Sequence, residues 1–426
     1  MAQVSAVQRV TVPGDKSLSH RALMFAALAS GTSELRGVLP SADVRSTAGV
    51  LRALGVDVPT DWTASDTIRI VGRGRRGLLA PSINLDCGNS GTTTRLMAGV
   101  IAGHSMTATF VGDASLSRRP MRRIARPLTQ MGATFSFASD DGLPMTVKGS
   151  GLTDINWVSA TASAQVKSAI LLAALVAGRS ARVQEPVRSR DHTERMLAAL
   201  GAPLLVTDDA VVLDPVSTLR PLEFEVPGDP SSALFLIAAA VLRGQPLEVC
   251  NVGVNATRIG AFAVLERMGV TLTRVNERKS GGEPVADVHV APCAGLRGVQ
   301  IGGDEIPALI DELPILACLA SRADGETRIT DAAELRVKES DRIAVVVSNL
   351  RAIGADADEL SDGMIVRGGT NTLRGGVVTQ ADHRIAMSFG VLGAMRGNSV
   401  AIDDPSCVDV SFPGFWEMLV AGDGQA

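Results

Sequence analysis

Tyrosine is missing from the 426-residue chain, and Phe and Trp supply only 10 and 3 residues. A base-stacking or aromatic carbohydrate platform therefore has little material. Lysine is scarce too: Lys16, Lys148, Lys167, Lys279 and Lys338 are the whole set, and Arg supplies the other basic groups. With 41 basic against 45 acidic residues the net charge is −4. That disfavours a broad nucleic-acid-binding surface and still allows a local cationic cleft. The five cysteines (Cys87, Cys250, Cys293, Cys318, Cys407) are far apart and form no CxxC pair. A disulfide framework and a cysteine zinc site are both poorly supported. The histidines His20, His104, His192, His289 and His383 show no metal spacing such as HExxH. The strongest apolar runs, near Ala169–Ala177 and Ala233–Leu242, fall short of the ~20 residues that span a bilayer. The opening MAQVSAVQRV has no apolar signal core. The expectation is a soluble, cytoplasmic protein without membrane contact.

What is present is a large apolar fraction, 46%, beside 20% charged residues, enough for large cores. The 43 glycines follow no three-residue period. Six Ala-rich apolar segments recur about 70 residues apart, each running to a glycine. They end at Gly31, Gly103, Gly178, Gly244, Gly325 and Gly397, and each predicts a helix buried on most sides. A second, more polar helix type lies between them, ending at Gly55, Gly132, Gly201, Gly269 and Gly354, with a degraded copy before Gly422. Short β-like runs such as Thr67–Val71, Met145–Val147 and Met364–Val366 fill the gaps. One unit reads strand, helix, strand, helix, strand pair, and six units account for the chain. A purely structural array would repeat its polar positions evenly, and this one does not.

The polar signatures gather at helix starts, where free N–H groups favour anions. VPGDKSLSHR carries Lys16, Ser17 and Arg21 after a Pro-Gly turn; it lacks the glycine spacing of a Walker A loop. Ser17 and Ser19 are open between capping and binding. DCGNSGTTTRL offers Asn89, Gly91 and Thr92, as ligand contacts or as a tight capping turn. GDASLSRRP places Arg118 and Arg119 before Pro120, a residue suited to opening a helix. SAQVKSA supplies Ser163, Ala164, Gln165 and Lys167 at another helix start, and VRSRDHTERM supplies Arg190. There, Asp191 and His192 read as a polar cap cluster rather than catalytic groups. DELP contributes Asp311 and Glu312. In RVKESDR, an extended chain would put Arg336 and Lys338 on one face and Glu339 opposite; a helix beginning near Ser340 would change that. ADHRIAM places Asp382, His383 and Arg384 at the sixth apolar helix. Cations so concentrated in an acidic chain suit small, highly charged anions. Asp311 and Glu339 are candidates for proton transfer, with ion pairing to an arginine as the alternative for each. The GxGxxG at Gly72–Gly77 is followed by LLAPS rather than a helix, so a turn is expected, not a dinucleotide site.

The motifs PGDKS, GNSGT, RRP, SAQVKSA, DELP, RVKESDR and DHR, in this order over nearly the whole chain, resemble the 5-enolpyruvylshikimate-3-phosphate synthase family of 3-phosphoshikimate 1-carboxyvinyltransferases. The resemblance implies an α/β enolpyruvyl transferase fold: two similar domains, each of three βαβαββ units, with the active site in the interdomain cleft. It implies that residues 1–15 join the second-half domain, that 16–227 form the first domain and that 228–426 complete the second. The implied activity transfers the enolpyruvyl group of phosphoenolpyruvate to shikimate 3-phosphate, without metal or organic cofactor, in a monomer. Lys16, Ser17, Arg21, Ser163, Ala164, Gln165, Arg190, Asp311 and Lys338 are the implied shikimate 3-phosphate contacts. Lys16, Asn89, Gly91, Thr92, Arg119, Gln165, Arg342 and Arg384 are the implied phosphoenolpyruvate contacts. Asp311, Glu339 and Lys16 are the implied catalytic groups.

The chain departs from the family pattern in places. Val410-Ser411 precede Phe412-Pro413 where some members carry a lysine, Arg190 stands where many carry serine, and Arg118 could substitute for Arg119. Those features resemble a branch that includes glyphosate-insensitive enzymes, yet Gly91 is retained, so sensitivity is expected. The related UDP-N-acetylglucosamine transferases fit less well. They typically carry a Lys-Asn pair and a loop cysteine, absent at Asp15-Lys16-Ser17 and around Arg118–Pro120. A non-catalytic polyanion-binding scaffold is the alternative from another class.

Overall fold

A computed structural model of the chain describes residues 7–421; Gly422, the expected end of the degraded copy, lies outside them. The described chain divides into two compact units. The first comprises Gly14–Val226 with Lys279–Glu283. The second comprises the residues up to Pro13, Pro227–Arg278 and those from Pro284 onward. Asp15 therefore belongs to the first unit, not to the N-terminal segment in which the sequence reading placed it. The excursion Lys279–Glu283 was also read as part of the second. It lies at the turn between the strands Leu272–Ser280 and Glu283–Val290, where Ser280 Oγ donates to Glu225 O at 2.7 Å.

The helices of the first unit are α1 (Lys16–Leu28), α2 (Ala42–Ala53), α3 (Gly91–Gly103), α4 (Arg122–Met131), α5 (Ala164–Ala177) and α6 (His192–Ala199). They accompany three sheets of one pattern. Leu85–Asp86 runs parallel to Thr107–Val111, which pairs antiparallel with Met145–Lys148, itself antiparallel to Thr134–Phe137. Ile155–Val158, Ala181–Gln184, Ala210–Leu213 and Leu204–Val206 repeat it. In the remaining sheet Glu223–Glu225, from the far end of the unit, lies parallel to Ser30–Arg36, which pairs antiparallel with Thr67–Arg73. A parallel pair needs a crossover, and the apolar helices α3 and α5 supply it in the first two sheets; in the third the rest of the unit lies between the paired strands.

The second unit holds α7 (Pro230–Arg243), α8 (Gly260–Arg267), α9 (Leu313–Ala320), α10 (Arg342–Ala352), α11 (His383–Gly393) and α12 (Phe415–Ala421). Gln8–Thr11 lies parallel to Leu247–Gly253, and Gln300–Ile301 parallel to Glu326–Ile329. Arg374–Val377 lies parallel to Ser399–Ile402, a sheet with no hairpin among the described residues. The sixth copy ends instead in a 3-10 turn, Pro405–Val410, and α12.

Helices α1, α3, α5, α7, α9 and α11 are the expected apolar segments, buried along nearly their whole length. Helix α3 packs closely on α5: a Cβ on Gly99 would stand 2.2 Å from Ala169 O. Gly178 and Gly244 close α5 and α7 in the left-handed region, as expected of terminal glycines. Three expected ends are too long. Helix α1 stops at Leu28 and Gly31 lies inside a strand; α9 and α11 stop at Ala320 and Gly393. After α1 and α9 a strand takes up chain that composition alone assigns to the helix, and after α11 a turn does. Gly72 and Arg73 end a strand and a turn follows, with no helix.

Candidate active site

In the first unit the candidate residues stand where the inner helices begin. Asp15 caps α1, accepting from Leu18 N–H at 2.8 Å, so Lys16 and Ser17 open the helix and neither Ser17 nor Ser19 is its cap. Ser19 is buried and accepts from Leu39 N–H. Lys16 Nζ lies 3.2 Å from Asp43 Oδ2 on α2. Arg21, one turn on, is buried; its Nε donates to Thr193 Oγ1 at 2.8 Å, Nη2 to Ser168 Oγ at 3.0 Å and Nη1 to Ser17 O at 3.0 Å. Burial lowers this guanidinium to about 10, with Glu194 and Asp15 opposing the shift. It remains cationic at neutral pH with neutral oxygens as its closest partners, which favours an added anion. His20 beside it is held well below the imidazole range by burial, with Lys16 and Arg21 adding to the effect. Its Nδ1 meets Thr47 Oγ1 at 2.7 Å, and Thr47 meets Thr93 at 2.7 Å, tying α1, α2 and α3 together.

Ser90 caps α3, so Gly91 is the first helical residue. Arg119 is buried and Arg118 exposed, which makes Arg119 the positioned member of the pair. Its Nη2 donates to Asn89 Oδ1 at 2.5 Å, and Asn89 Nδ2 in turn donates to Asp113 Oδ2. Arg118 closes a 3-10 turn, Leu116–Arg118, and α4 begins at Arg122, two residues after Pro120, so Pro120 does not open the helix. Ser163 caps α5. Gln165 Oε1 accepts from Arg95 Nη1 at 2.8 Å and Arg123 Nη2 at 3.2 Å, and its Nε2 donates to Thr92 Oγ1 at 3.3 Å. Thus Thr92, Gln165 and Arg95 are joined, and Arg95 also holds Pro120 O at 3.2 Å. Arg190 lies two residues before α6 and is half-buried. Asp191 binds Arg195 at 2.9 Å and makes no side-chain cap; His192 is buried against Glu283 at 2.9 Å. Lys167, which the SAQVKSA motif brings to the same helix start, is buried between Glu185 and Glu194, 2.8 Å from each. Burial works against its charge, but the two carboxylates outweigh it and raise its pKa.

The second unit builds a denser network. Asp229 caps α7 and accepts from Arg258 Nη2 at 3.0 Å. Arg258 Nη1 reaches Glu312 Oε1 at 2.8 Å, and Glu312 accepts from Ser231 Oγ. Arg384, on the first turn of α11, donates to Asp311 O at 2.9 Å, Glu312 Oε1 at 3.3 Å and Ser231 Oγ at 3.2 Å. The segment Ala333–Val337 is a 3-10 turn rather than an extended stretch, and α10 starts at Arg342 with Asp341 as cap. The one-face arrangement of Arg336 and Lys338 is thereby lost: Arg336 binds Asp341 and Glu359, whereas Lys338 Nζ lies 3.4 Å from Asp311 Oδ1. Arg342 is fully buried and meets Asp382, Glu339 at 2.7 Å and Asp311 at 3.3 Å. Burial opposes its charge, yet the three carboxylates raise its pKa above the normal arginine value. Asp311 and Glu339 are therefore both ion-paired, the alternative that the sequence had left open. Val410, where a lysine was missed, ends its 3-10 turn half-buried.

All five cysteines are unpaired. Glu248, Cys250 and Asp287 have ligand atoms within 4.8 Å of one another, but Arg9 and Arg278 already pair with the two carboxylates at 2.9 and 3.8 Å. Sequence reasoning missed Asp43, Arg95, Ser168 and Thr193 in the first unit and Asp229, Ser231 and Arg258 in the second. Arg95 had a signal, since a guanidinium inside an apolar helix must find partners; the single hydroxyls had none.

Two repeat-built α/β units, each gathering polar side chains at the N-terminal ends of its buried helices, define a fold shared with enolpyruvyl transferases. The transferase NikO from Streptomyces tendae is similar in fold, with a TM-score of 0.78 at 18% identity over 98% of this chain and 94% of its own. The sequence profile of EPSP synthase (3-phosphoshikimate 1-carboxyvinyltransferase) matches residues 2–419. A 3-phosphoshikimate 1-carboxyvinyltransferase of Herpetosiphon aurantiacus is 48% identical over 96% of this chain and 95% of its own. One of Bacillus velezensis is 46% identical over 96% of both chains. The EPSP synthase structure from Acinetobacter baumannii gives a TM-score of 0.85 at 40% identity, covering 97% of this chain and 95% of that one. The chain belongs to the EPSP synthase family.

Proposed function

We propose that this enzyme transfers the enolpyruvyl group of phosphoenolpyruvate to the 5-hydroxyl of shikimate 3-phosphate. It releases phosphate and 5-enolpyruvylshikimate 3-phosphate, a step of aromatic amino acid biosynthesis. The observation that carries this reading is the near-complete family match in a chain whose candidate cations stand at the starts of buried helices.

In this reading Ser17, Arg21, Ser163, Ala164, Gln165, Arg190 and Lys338 bind shikimate 3-phosphate, with Lys16 and Asp311 also in contact. Arg119, Arg342, Arg384 and Lys16 bind phosphoenolpyruvate beside Asn89, Gly91, Thr92 and Gln165. The 5-hydroxyl oxygen bonds to C2 while C3 gains a proton, giving a tetrahedral intermediate. C3 then loses a proton, the C2–O bond to phosphate breaks and the double bond re-forms. Asp311 takes the hydroxyl proton; Glu339, with Lys16, serves C3. Both carboxylates are held by Arg342, and Lys338 also holds Asp311, which keeps them in place. The same cations stabilise charge on the departing phosphate.

No metal or organic cofactor enters this scheme, and the acting form is a cytoplasmic monomer that takes small-molecule substrates, not nucleic acid. No helix among the described residues is long and apolar enough to cross a membrane. Phosphate release from phosphoenolpyruvate, measured in chelator, tests the reading. Release only with shikimate 3-phosphate supports it. Release with UDP-N-acetylglucosamine instead moves the acceptor, and silence with both leaves a binding scaffold.

A further inference from the structure

One buried ionic cluster in the first unit is used by no step above. Lys167, Glu185 and Glu194 expose 3%, 7% and 3% of their side chains. Desolvating three charges is costly, and an apolar trio of similar volume is often as stable. Stability is therefore a weak reason for this cluster, and its hydrogen bonds point elsewhere. Glu185 follows the strand Ala181–Gln184. Its Oε1 accepts Ser163 N–H at 2.8 Å, at the cap of α5. Ser189 Oγ donates to the same carboxylate at 2.8 Å and Ser189 N–H at 3.3 Å, immediately before Arg190. Lys167 Nζ also donates to Ser189 O at 3.4 Å. Glu194 lies on the first turn of α6 beside Thr193. Lys167–Glu194 and Ser168–Thr193, the latter at 2.7 Å, are thus adjacent rungs from α5 to α6, and Arg21 rests on the second.

We propose that Lys167, Glu185 and Glu194 are positioning residues for the phosphorylated acceptor. They lock the Ser163 cap, the Ser189–Arg190 segment and the Arg21 rung into one arrangement before ligand binds. Ordering those segments in advance removes that cost from binding. The inference rests on the proposed shikimate 3-phosphate contacts of Ser163, Arg190 and Arg21. Two of the donor contacts, Lys16 and Arg119, are held by partners outside this cluster, Asp43 and Asn89.

The test uses full-length Glu185→Gln, which keeps shape and one acceptor, and Ser189→Ala, which leaves the ion pairs intact. Calorimetry with shikimate 3-phosphate, KM for both substrates and melting temperature are measured for each. The Kd and KM for shikimate 3-phosphate should rise roughly tenfold in Glu185→Gln and roughly threefold in Ser189→Ala, with KM for phosphoenolpyruvate within about twofold of wild type. Glu185→Asp should recover part of the loss. A lower melting temperature with unchanged acceptor affinity would leave a structural role only, and equal rises in both KM values would also overturn the proposal. Should Glu185→Gln not fold, Ser189→Ala alone decides. Wild type that gives no heat with shikimate 3-phosphate removes the reading of the site itself; wild-type binding with unaltered variants removes only the positioning role.

Discussion

Asp382 grips Arg342 twice, Nε to Oδ2 at 2.8 Å and Nη2 to Oδ1 at 3.2 Å, with both side chains closed to solvent. The same carboxylate accepts Ser340 Oγ at 3.0 Å and caps α11 through Arg384 N–H at 3.0 Å. One aspartate thus holds the guanidinium of Arg342 and the backbone of Arg384, two residues assigned to phosphoenolpyruvate. Asp382→Asn keeps the shape and removes the charge. Breaking a buried pair on one side costs about 3–5 kcal/mol. Urea unfolding should show that loss, and KM for phosphoenolpyruvate should rise in whatever fraction remains folded.

The same pair sets an acid limit. Burial opposes the Asp382 charge, but Arg342 outweighs it and holds the carboxyl below its normal pKa. A depressed folded pKa gives stability that is present above the unfolded value of about 3.9 and is lost as pH falls through the folded one. Wild type should lose stability below about pH 4 more steeply than Asp382→Asn. Denaturant midpoints from pH 7 downward check this; parallel curves would remove Asp382 as the cause.

Gly91 is tested by a single methyl. A Cβ there would stand 2.9 Å from Arg95 Nη1 and 3.5 Å from Arg119 Nη1. Arg95 holds Gln165, so Gly91→Ala should disturb the phosphoenolpyruvate contacts and raise that KM roughly tenfold, with the shikimate 3-phosphate KM less affected. An unchanged KM would mean that Arg95 yields without moving Gln165. In wild type the retained glycine predicts that glyphosate competes with phosphoenolpyruvate, and no competition at millimolar inhibitor would contradict that.

Lys16 and Asp311 should separate binding from chemistry. Lys16→Ala should weaken phosphoenolpyruvate binding and lower turnover, since a charge-assisted partner contributes ~1.5–3 kcal/mol. Asp311→Ala should lower kcat by roughly a hundredfold or more with smaller changes in binding. Equal turnover in the second variant would take Asp311 out of the mechanism.

The six-unit repeat and the buried Ala-rich helices were legible because apolar length and terminal glycines are local signals. Helix ends were legible where a left-handed glycine closes them, as at Gly178, and not where a strand follows at once, as after Leu28. The motif residues were named, but not their state. Lys167 was visible as part of its motif, but its pairing with Glu185 and Glu194 was not, because both lie beyond the helix that carries it. Arg258 and Ser231 escaped notice because their role depends on Glu312, and spacing does not encode that contact.

Addition followed by elimination at the enolpyruvyl group can be read from proton NMR of the reaction in D2O. With phosphoenolpyruvate and shikimate 3-phosphate together, wild type should form a vinyl ether whose methylene carries deuterium, because C3 is protonated and deprotonated on the way. Product without deuterium, or no product from the folded enzyme with both substrates, would rule this route out.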